Sequence, residues 1–286
     1  MLVVMNTRIQ TLIMKLVILI SSLVIVQAGV TKRDTQCEGP LVNGVQHSKG
    51  ILKTDLDRPY LLTTDFSSNT LYFSYTIKGE EEGFKSAKLN LNTKEFSDID
   101  GVPNGFAQAV DESTHEVYIG GSDGIYKYKP NANKADFFGA NGTDIWTIYY
   151  KDVLYFSIFP SQFLYTFDNG EITRFKDLED TLVDSFLIDD ENTLFFSNSS
   201  GLYSQKKGTK DAINISGEDI RIRGLTKNKD GDVYVCVQDG IYSVNKTHHY
   251  LGKYVDIDDA FGVAFDNQNN LVYADATNVV RLTPCK

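Results

Sequence analysis

The chain has 286 residues, 42% of them hydrophobic and 12% aromatic, and a formal net charge of −10 at pH 7. A chain with this negative net charge repels phosphate backbones and anionic lipids. We therefore expect neither nucleic acid nor a membrane as a partner. The length exceeds that of an average domain, but all-β propellers and barrels reach it as single domains.

The N-terminus carries an apolar run over residues 11–26, TLIMKLVILISSLVIV, with Arg8 before it and Lys15 within it. The run is shorter than the ~20 residues of a membrane-spanning helix, and the small residues of a cleavage site end it at Val26-Gln27-Ala28. A membrane anchor is the alternative. We predict a signal peptide over residues 1–28 and a secreted single domain over residues 29–286.

Three cysteines and four N-x-S/T sequons fit an oxidising, extracellular compartment. Cys37 lies near the start of the mature chain and Cys285 is the penultimate residue, so we predict a disulfide between them. Cys236 lies in the apolar run VYVCV and is predicted to be a buried free thiol. The sequons, which we expect to be glycosylated where exposed, are at Asn141, Asn198, Asn214 and Asn245.

A short strand pattern recurs six times along the mature chain, each time around an aromatic anchor. The anchors are Tyr72, Tyr118, Tyr155, Phe195, Tyr234 and Tyr273, at spacings of 46, 37, 40, 39 and 39 residues. An apolar strand precedes each anchor strand, a third strand follows it, and a polar outer strand comes last where the chain is long enough. A period of about 40 residues with four strands per repeat is typical of a β-propeller.

The sixth repeat ends with the chain and lacks its outer strand, whereas residues 41–54 belong to no complete repeat. We predict that this N-terminal segment pairs with the last blade and closes the ring, which removes the exposed edges that an open array would leave. The predicted fold is thus an all-β, six-bladed propeller with four-stranded antiparallel blades. A seven-bladed propeller or a sandwich is the alternative if the period is accidental.

In a propeller, the loops leading into the inner strands gather at one end of the axis, together with those joining the second and third strands. The loops leading into the inner strands supply eight candidate ligand-binding residues: Tyr60, Asn104, Phe106, Trp146, Asp184, Phe186, Arg223 and Phe261. They predict a pocket that stacks a flat ring, with Arg223 placed to bind a carboxylate. The alternative for each aromatic residue is packing between blades.

Catalytic signals are weak. The sequence contains no GxSxG, HExxH or P-loop motif, and its few histidines lie mainly in predicted turns, so we predict neither catalytic residues nor a zinc site. An acidic turn such as residues 189–191 could hold calcium, but a solvated turn is the expected reading. No cofactor is predicted.

Three stretches resemble the ommochrome-binding proteins of insect haemolymph: TQCEGPLVNGV at 35–45, DRPYLLTTDFSSNTLYFSYT at 57–76 and VVRLTPC at 279–285. The resemblance implies a secreted haemolymph carrier for a flat, tryptophan-derived pigment with amino-acid and carboxylate groups. It supplies no binding motif, so the site residues rest on the sequence alone. The charged outer strands favour a monomer. Two other functions stay open: a hydrolase of the lactonase or strictosidine-synthase type, and a protein-interaction propeller without a small ligand.

Overall fold

The computed structural model describes residues 37–77, 83–217 and 220–285. The predicted signal peptide lies outside these residues. Over the described range, the regular structure consists of 25 β-strands and two short 3₁₀ turns, at Pro130–Ala132 and Lys176–Leu178. None of the described residues forms a helix with the length and apolarity of a membrane span.

The strands follow one another in six groups. The N-terminal strands are β1 (Leu41–Val42) and β2 (Val45–Lys53). Blade 1 contains β3 (Tyr60–Asp65), β4 (Thr70–Ile77), β5 (Gly83–Asn90) and β6 (Phe96–Asp98). Blade 2 contains β7 (Ala107–Val110), β8 (Val117–Gly121), β9 (Gly124–Lys129) and β10 (Lys134–Gly139). Blade 3 contains β11 (Ile145–Lys151), β12 (Val153–Ile158), β13 (Leu164–Asp168) and β14 (Glu171–Arg174). Blade 4 contains β15 (Ser185–Ile188), β16 (Thr193–Asn198), β17 (Gly201–Lys206) and β18 (Ile213–Asn214). Blade 5 contains β19 (Gly224–Lys227), β20 (Val233–Val237), β21 (Gly240–Asn245) and β22 (Tyr250–Asp256). Blade 6 contains β23 (Gly262–Phe265), β24 (Leu271–Ala274) and β25 (Val279–Pro284).

The N-terminal segment closes the ring on blade 6. That sheet has the order β1-β2-β25-β24-β23, and β2 pairs antiparallel with β25, with Ser48 opposite Thr283. The other five sheets each hold four consecutive antiparallel strands. Cys37 and Cys285 are both disulfide-bonded, and Cys236 is a buried free cysteine. The predicted six-bladed fold, its closing strand and the disulfide are confirmed.

The hydrophobic core lies between the blades. The second strands are buried on both faces, so they read as nearly continuous apolar runs rather than alternating ones. One apolar cluster shows the arrangement: Leu71 and Phe73 of blade 1 pack with Val272 of blade 6 and Leu52 of the closing strand. The six aromatic anchors are all buried, Tyr234 at 7% exposure being the most accessible. The anchors therefore hold neighbouring blades together.

A side-chain cap ends most of the inner strands. Asp65 Oδ1 accepts a hydrogen bond from the Ser67 backbone N–H at 3.0 Å, and Asp111 Oδ1 accepts one from Ser113 at 2.9 Å. The same bond to the residue two positions on recurs at Asp189, Asn228 and Asp266. Such Asx turns fix a tight reversal of the chain. The caps lie at one end of the axis, which leaves the starts of the inner strands to form a site at the other end.

In three blades, the glycine that opens the third strand has a positive φ. Gly124, Gly201 and Gly240 have φ of 153°, 128° and 144°, and a Cβ at Gly240 would collide with the Val255 carbonyl oxygen. We expect Gly240→Ala to lower the free energy of unfolding by about 1–3 kcal/mol, because alanine is strained in this conformation. Urea unfolding measures the change. Gly50→Ala is the control, since the nearest atom to its Cβ is 3.7 Å away; equal losses in both variants would contradict the prediction.

Candidate functional site

A cleft of about 720 Å³ opens where the inner strands begin. Every blade contributes residues to it, either just before or at the start of its inner strand, or near the connection between its second and third strands. The lining residues are Tyr60, Leu61, Phe84, Phe106, Trp146, Gln162, Asp184, Ser185, Asn198, Ser199, Arg221, Ile222, Arg223 and Phe261. The ring geometry thus brings together short segments that are far apart in the sequence.

Five rings form a continuous wall of the cleft, which we call the aromatic arc: Phe261, Tyr60, Phe84, Phe106 and Trp146. The ring centroid of Tyr60 lies 5.8 Å from Phe261 and 5.9 Å from Phe106. Phe106 continues the arc to Phe84 at 4.4 Å and to Trp146 at 5.0 Å. All five residues are only partly buried, so their rings are accessible. Contacts of this kind favour a flat, aromatic ligand.

Five of the polar lining residues form another part of the cleft, which we call the polar edge: Gln162, Asp184, Asn198, Ser199 and Arg221. Asp184 is partly buried, and its carboxylate accepts hydrogen bonds from the Gln162 amide and the Trp146 side chain. Burial raises the pKa of Asp184, while these two hydrogen bonds and the nearby positive charge of Arg221 act in the opposite direction. The cleft therefore joins an apolar stacking surface to a fixed, partly desolvated carboxylate.

Two other hollows are less suitable for a flat ligand. The inner strands of all six blades enclose an axial cavity of only about 90 Å³, which is too small for a fused-ring molecule. A surface hollow of about 810 Å³ beside blade 1 has two aromatic residues in its lining, Tyr75 and Phe84. The cleft with the aromatic arc is therefore the candidate site.

Comparison with known proteins identifies the family. No protein-family model matches the chain. An ommochrome-binding protein of Manduca sexta is 32% identical over 250 residues, which cover 85% of this chain and 90% of the relative. The chain belongs to the ommochrome-binding protein family. The family resemblance noted in the sequence is thereby confirmed.

Among solved structures, this member of the ommochrome-binding protein family is similar to enzymes of low sequence identity. A gluconolactonase from Xanthomonas campestris has a TM-score of 0.68 and 14% identity, covering 87% of this chain and 96% of its own. A luciferin-regenerating enzyme has a TM-score of 0.65 and 11% identity, covering 83% and 95%. These values establish a shared fold and nothing about activity. Within the described residues, no group of three or more His, Cys, Asp or Glu side chains is arranged to hold a metal ion.

Six of the eight predicted ligand-binding residues line the cleft of this ommochrome-binding protein family member: Tyr60, Phe106, Trp146, Asp184, Arg223 and Phe261. Arg223 is already engaged there. Its Nη1 donates to Asp259 Oδ1 at 2.8 Å and to the Ala260 carbonyl oxygen at 2.9 Å, and its guanidinium lies 4.8 Å from the Phe261 ring centroid. These contacts hold the Phe261 loop against the cleft and occupy one guanidinium nitrogen.

The structure places the other two predicted residues elsewhere. Asn104 lies outside the cleft lining, where its Oδ1 accepts a hydrogen bond from the Phe84 N–H at 2.7 Å and so supports the arc. Phe186 is 5% exposed, and its ring lies 5.3 Å from Tyr155 and 6.1 Å from Tyr149. Phe186 therefore packs between blades instead of binding a ligand. Successive side chains of a strand point to opposite faces, and Ser185, one residue earlier, lines the cleft.

Sequence reasoning missed Phe84, Gln162 and Arg221. Gln162 lies in the connection between β12 and β13, and Phe84 is the second residue of β5, just after such a connection. The eight predicted residues come from the loops leading into the inner strands, so they include neither. Arg221 stands two residues before Arg223 in the segment DIRIRG, and alternation along an extended chain could have placed both on the same side. Its side chain is exposed at the cleft.

The four sequons occupy different surroundings. Asn141 and Asn214 are exposed, Asn245 is partly exposed, and Asn198 is a partly buried residue of the polar edge. The Oδ1 of Asn198 accepts a hydrogen bond from the Ser200 N–H at 2.9 Å. A glycan on Asn198 would stand at the cleft, whereas glycans on Asn141 and Asn214 would extend from open surface.

Proposed function

We propose that this chain is a carrier that binds a flat, fused-ring ligand of the ommochrome class without covalent chemistry, in the cleft at the start of the inner strands. The observation that carries the proposal is that the aromatic arc and the polar edge line the same cleft. Stacking on the arc supplies affinity, and the charged groups of the edge orient the ligand. Membership of the family supports the ligand class, because a relative bears the name ommochrome-binding protein.

Titration with xanthommatin tests this function. The sequence contains a single tryptophan, so intrinsic tryptophan fluorescence reports on Trp146 alone. We expect saturable quenching at one ligand per chain, and a visible absorption band that elutes with the protein in gel filtration. A protein that neither quenches nor retains the pigment would contradict the carrier function, and lactone hydrolysis with added calcium would be the next assay.

Arg221 is the guanidinium proposed to bind a ligand carboxylate, because Arg223 is held by Asp259. We expect Arg221→Ala to weaken xanthommatin binding about tenfold. This loss corresponds to one charge-assisted hydrogen bond, which is weakened because the arginine side chain is exposed to solvent. The loss should shrink at high salt, which screens an exposed pair. Lys134→Ala removes an exposed cation from β10 and is the control. Equal affinities of the Arg221 and Lys134 variants would contradict this role.

We further propose that the protein is secreted as a glycosylated monomer. The disulfide at Cys37 and Cys285 supports an oxidising compartment. Expression of the full chain in insect cells tests this directly. Protein in the medium that begins near Gly29, loses mass on glycosidase treatment and has the hydrodynamic size of one chain would agree. Retention in the cell would contradict it.

A further inference from the structure

The polar edge contains two opposite charges that are close but not paired. The positive charge of Arg221 acts on Asp184, yet the two side chains form no ion pair with each other, and Arg221 forms none with any other described residue. Arg223, the other cation of the cleft, is bound to Asp259. The lining of the cleft thus contains both a carboxylate and a guanidinium, each able to bind a partner of opposite charge.

The carboxylate of Asp184 can accept further hydrogen bonds. A carboxylate has about four lone-pair sites on its two oxygens, and the described contacts to Asp184 come from two donors, Gln162 and Trp146. Both donors are neutral, so they orient the carboxylate without neutralising it. A partly buried carboxylate with no cation in direct contact is unfavourable, and a ligand ammonium group would remove that cost.

We propose that the polar edge recognises a zwitterionic α-amino-acid group, with Asp184 accepting hydrogen bonds from the ligand ammonium and Arg221 binding the adjacent carboxylate. This inference rests on the proposed function and names the part of the ligand that the cleft selects. Asp184 connects the polar edge to the aromatic arc, because the same carboxylate accepts the Trp146 N–H. A ligand whose ring stacks on Trp146 therefore places an amino-acid side chain within reach of both charges.

The test compares xanthommatin with xanthommatin acetylated on its aliphatic amine, a change that removes the positive charge. We expect the wild-type protein to prefer the free amine by about tenfold to a hundredfold. In Asp184→Asn this preference should fall to about one. A loss of affinity caused only by the bulk of the acetyl group would persist in the variant. The ratio of the affinities for the two probes, compared between wild type and variant, therefore reports on the charge alone. Asp168→Asn, an exposed carboxyl on β13 outside the cleft, is the matched control and should keep the wild-type ratio.

The outcomes separate the two proposals. If Asp184→Asn weakens binding of both probes equally and keeps the preference for the free amine, Asp184 only positions Trp146 and the zwitterion proposal is overturned. A wild-type protein that binds both probes with equal affinity overturns it as well, while the carrier function stands. Binding of neither probe by the wild type overturns the carrier function itself.

Because burial raises the pKa of Asp184, its charged form is disfavoured in the fold, and Asp184→Asn should unfold at no lower temperature than wild type at pH 7.

Discussion

Replacing Trp146 with alanine is expected to weaken pigment binding about 30- to 1,000-fold. The indole is partly buried in the arc, 5.0 Å from Phe106, and its N–H bonds to Asp184. Losing the buried apolar surface and the ring contact costs about 2–4 kcal/mol of binding free energy, which gives this range in Kd. Calorimetry or the pigment's visible absorption must report binding, because the variant has no tryptophan.

A matched pair of variants makes this test specific. Phe137→Ala removes a 51% exposed ring from β10, outside the cleft, and should leave the affinity unchanged. Trp146→Phe keeps a ring but loses the N–H donor, so we expect a loss between those of wild type and Trp146→Ala. Equal affinities of wild type and Trp146→Ala would show that the aromatic arc is not part of the binding site.

Loss of the disulfide is expected to have the largest effect on stability. Cross-linking residues so far apart in the chain stabilises by about 5 kcal/mol in the chain-entropy model, compared with a typical total of about 5–15 kcal/mol. We therefore expect Cys285→Ser to lower the thermal unfolding midpoint by about 10–20 °C. Circular dichroism, with and without reductant, measures the midpoint.

The free cysteine offers a control for this prediction. Cys236→Ala also removes a thiol, but from a buried position without a disulfide, and should cost about 1 kcal/mol through the small cavity it leaves. Reductant should shift the midpoint of Cys236→Ala and leave that of Cys285→Ser unchanged. Identical midpoints of the two variants under oxidising conditions would show that the disulfide contributes little.

The fold was predictable because its signals repeat. Anchors such as Tyr155 and Tyr234 recur at nearly constant spacing, and each lies in the second strand of a blade. Ring closure was predictable because the sixth repeat lacked an outer strand and residues 41–54 belonged to no complete repeat. Period and strand count decide the architecture of a propeller, so single-residue errors do not alter the result.

The site was less predictable because its geometry depends on single-residue placement. Ser185 lines the cleft, whereas Phe186, the next residue, packs between blades. Successive side chains of a strand point to opposite faces, so an error of one position moves a residue out of the site. The choice between Arg221 and Arg223 required knowing that Asp259 reaches only Arg223. Composition identifies the candidates, but only tertiary contacts separate them.

The shared scaffold explains why fold comparison leaves function open. Similar propellers include a gluconolactonase and a luciferin-regenerating enzyme, each at 14% identity or less. What distinguishes one propeller from another is the set of side chains at the start of the inner strands. In this family member the set is dominated by rings and by one partly buried carboxylate.

A crystal structure of the protein with xanthommatin tests the central claim most directly. We predict density for the fused rings against Trp146 and Phe106, with the amino-acid end of the ligand at Asp184 and Arg221. Pigment bound in the hollow beside blade 1, or anywhere outside the cleft, would contradict the proposed site.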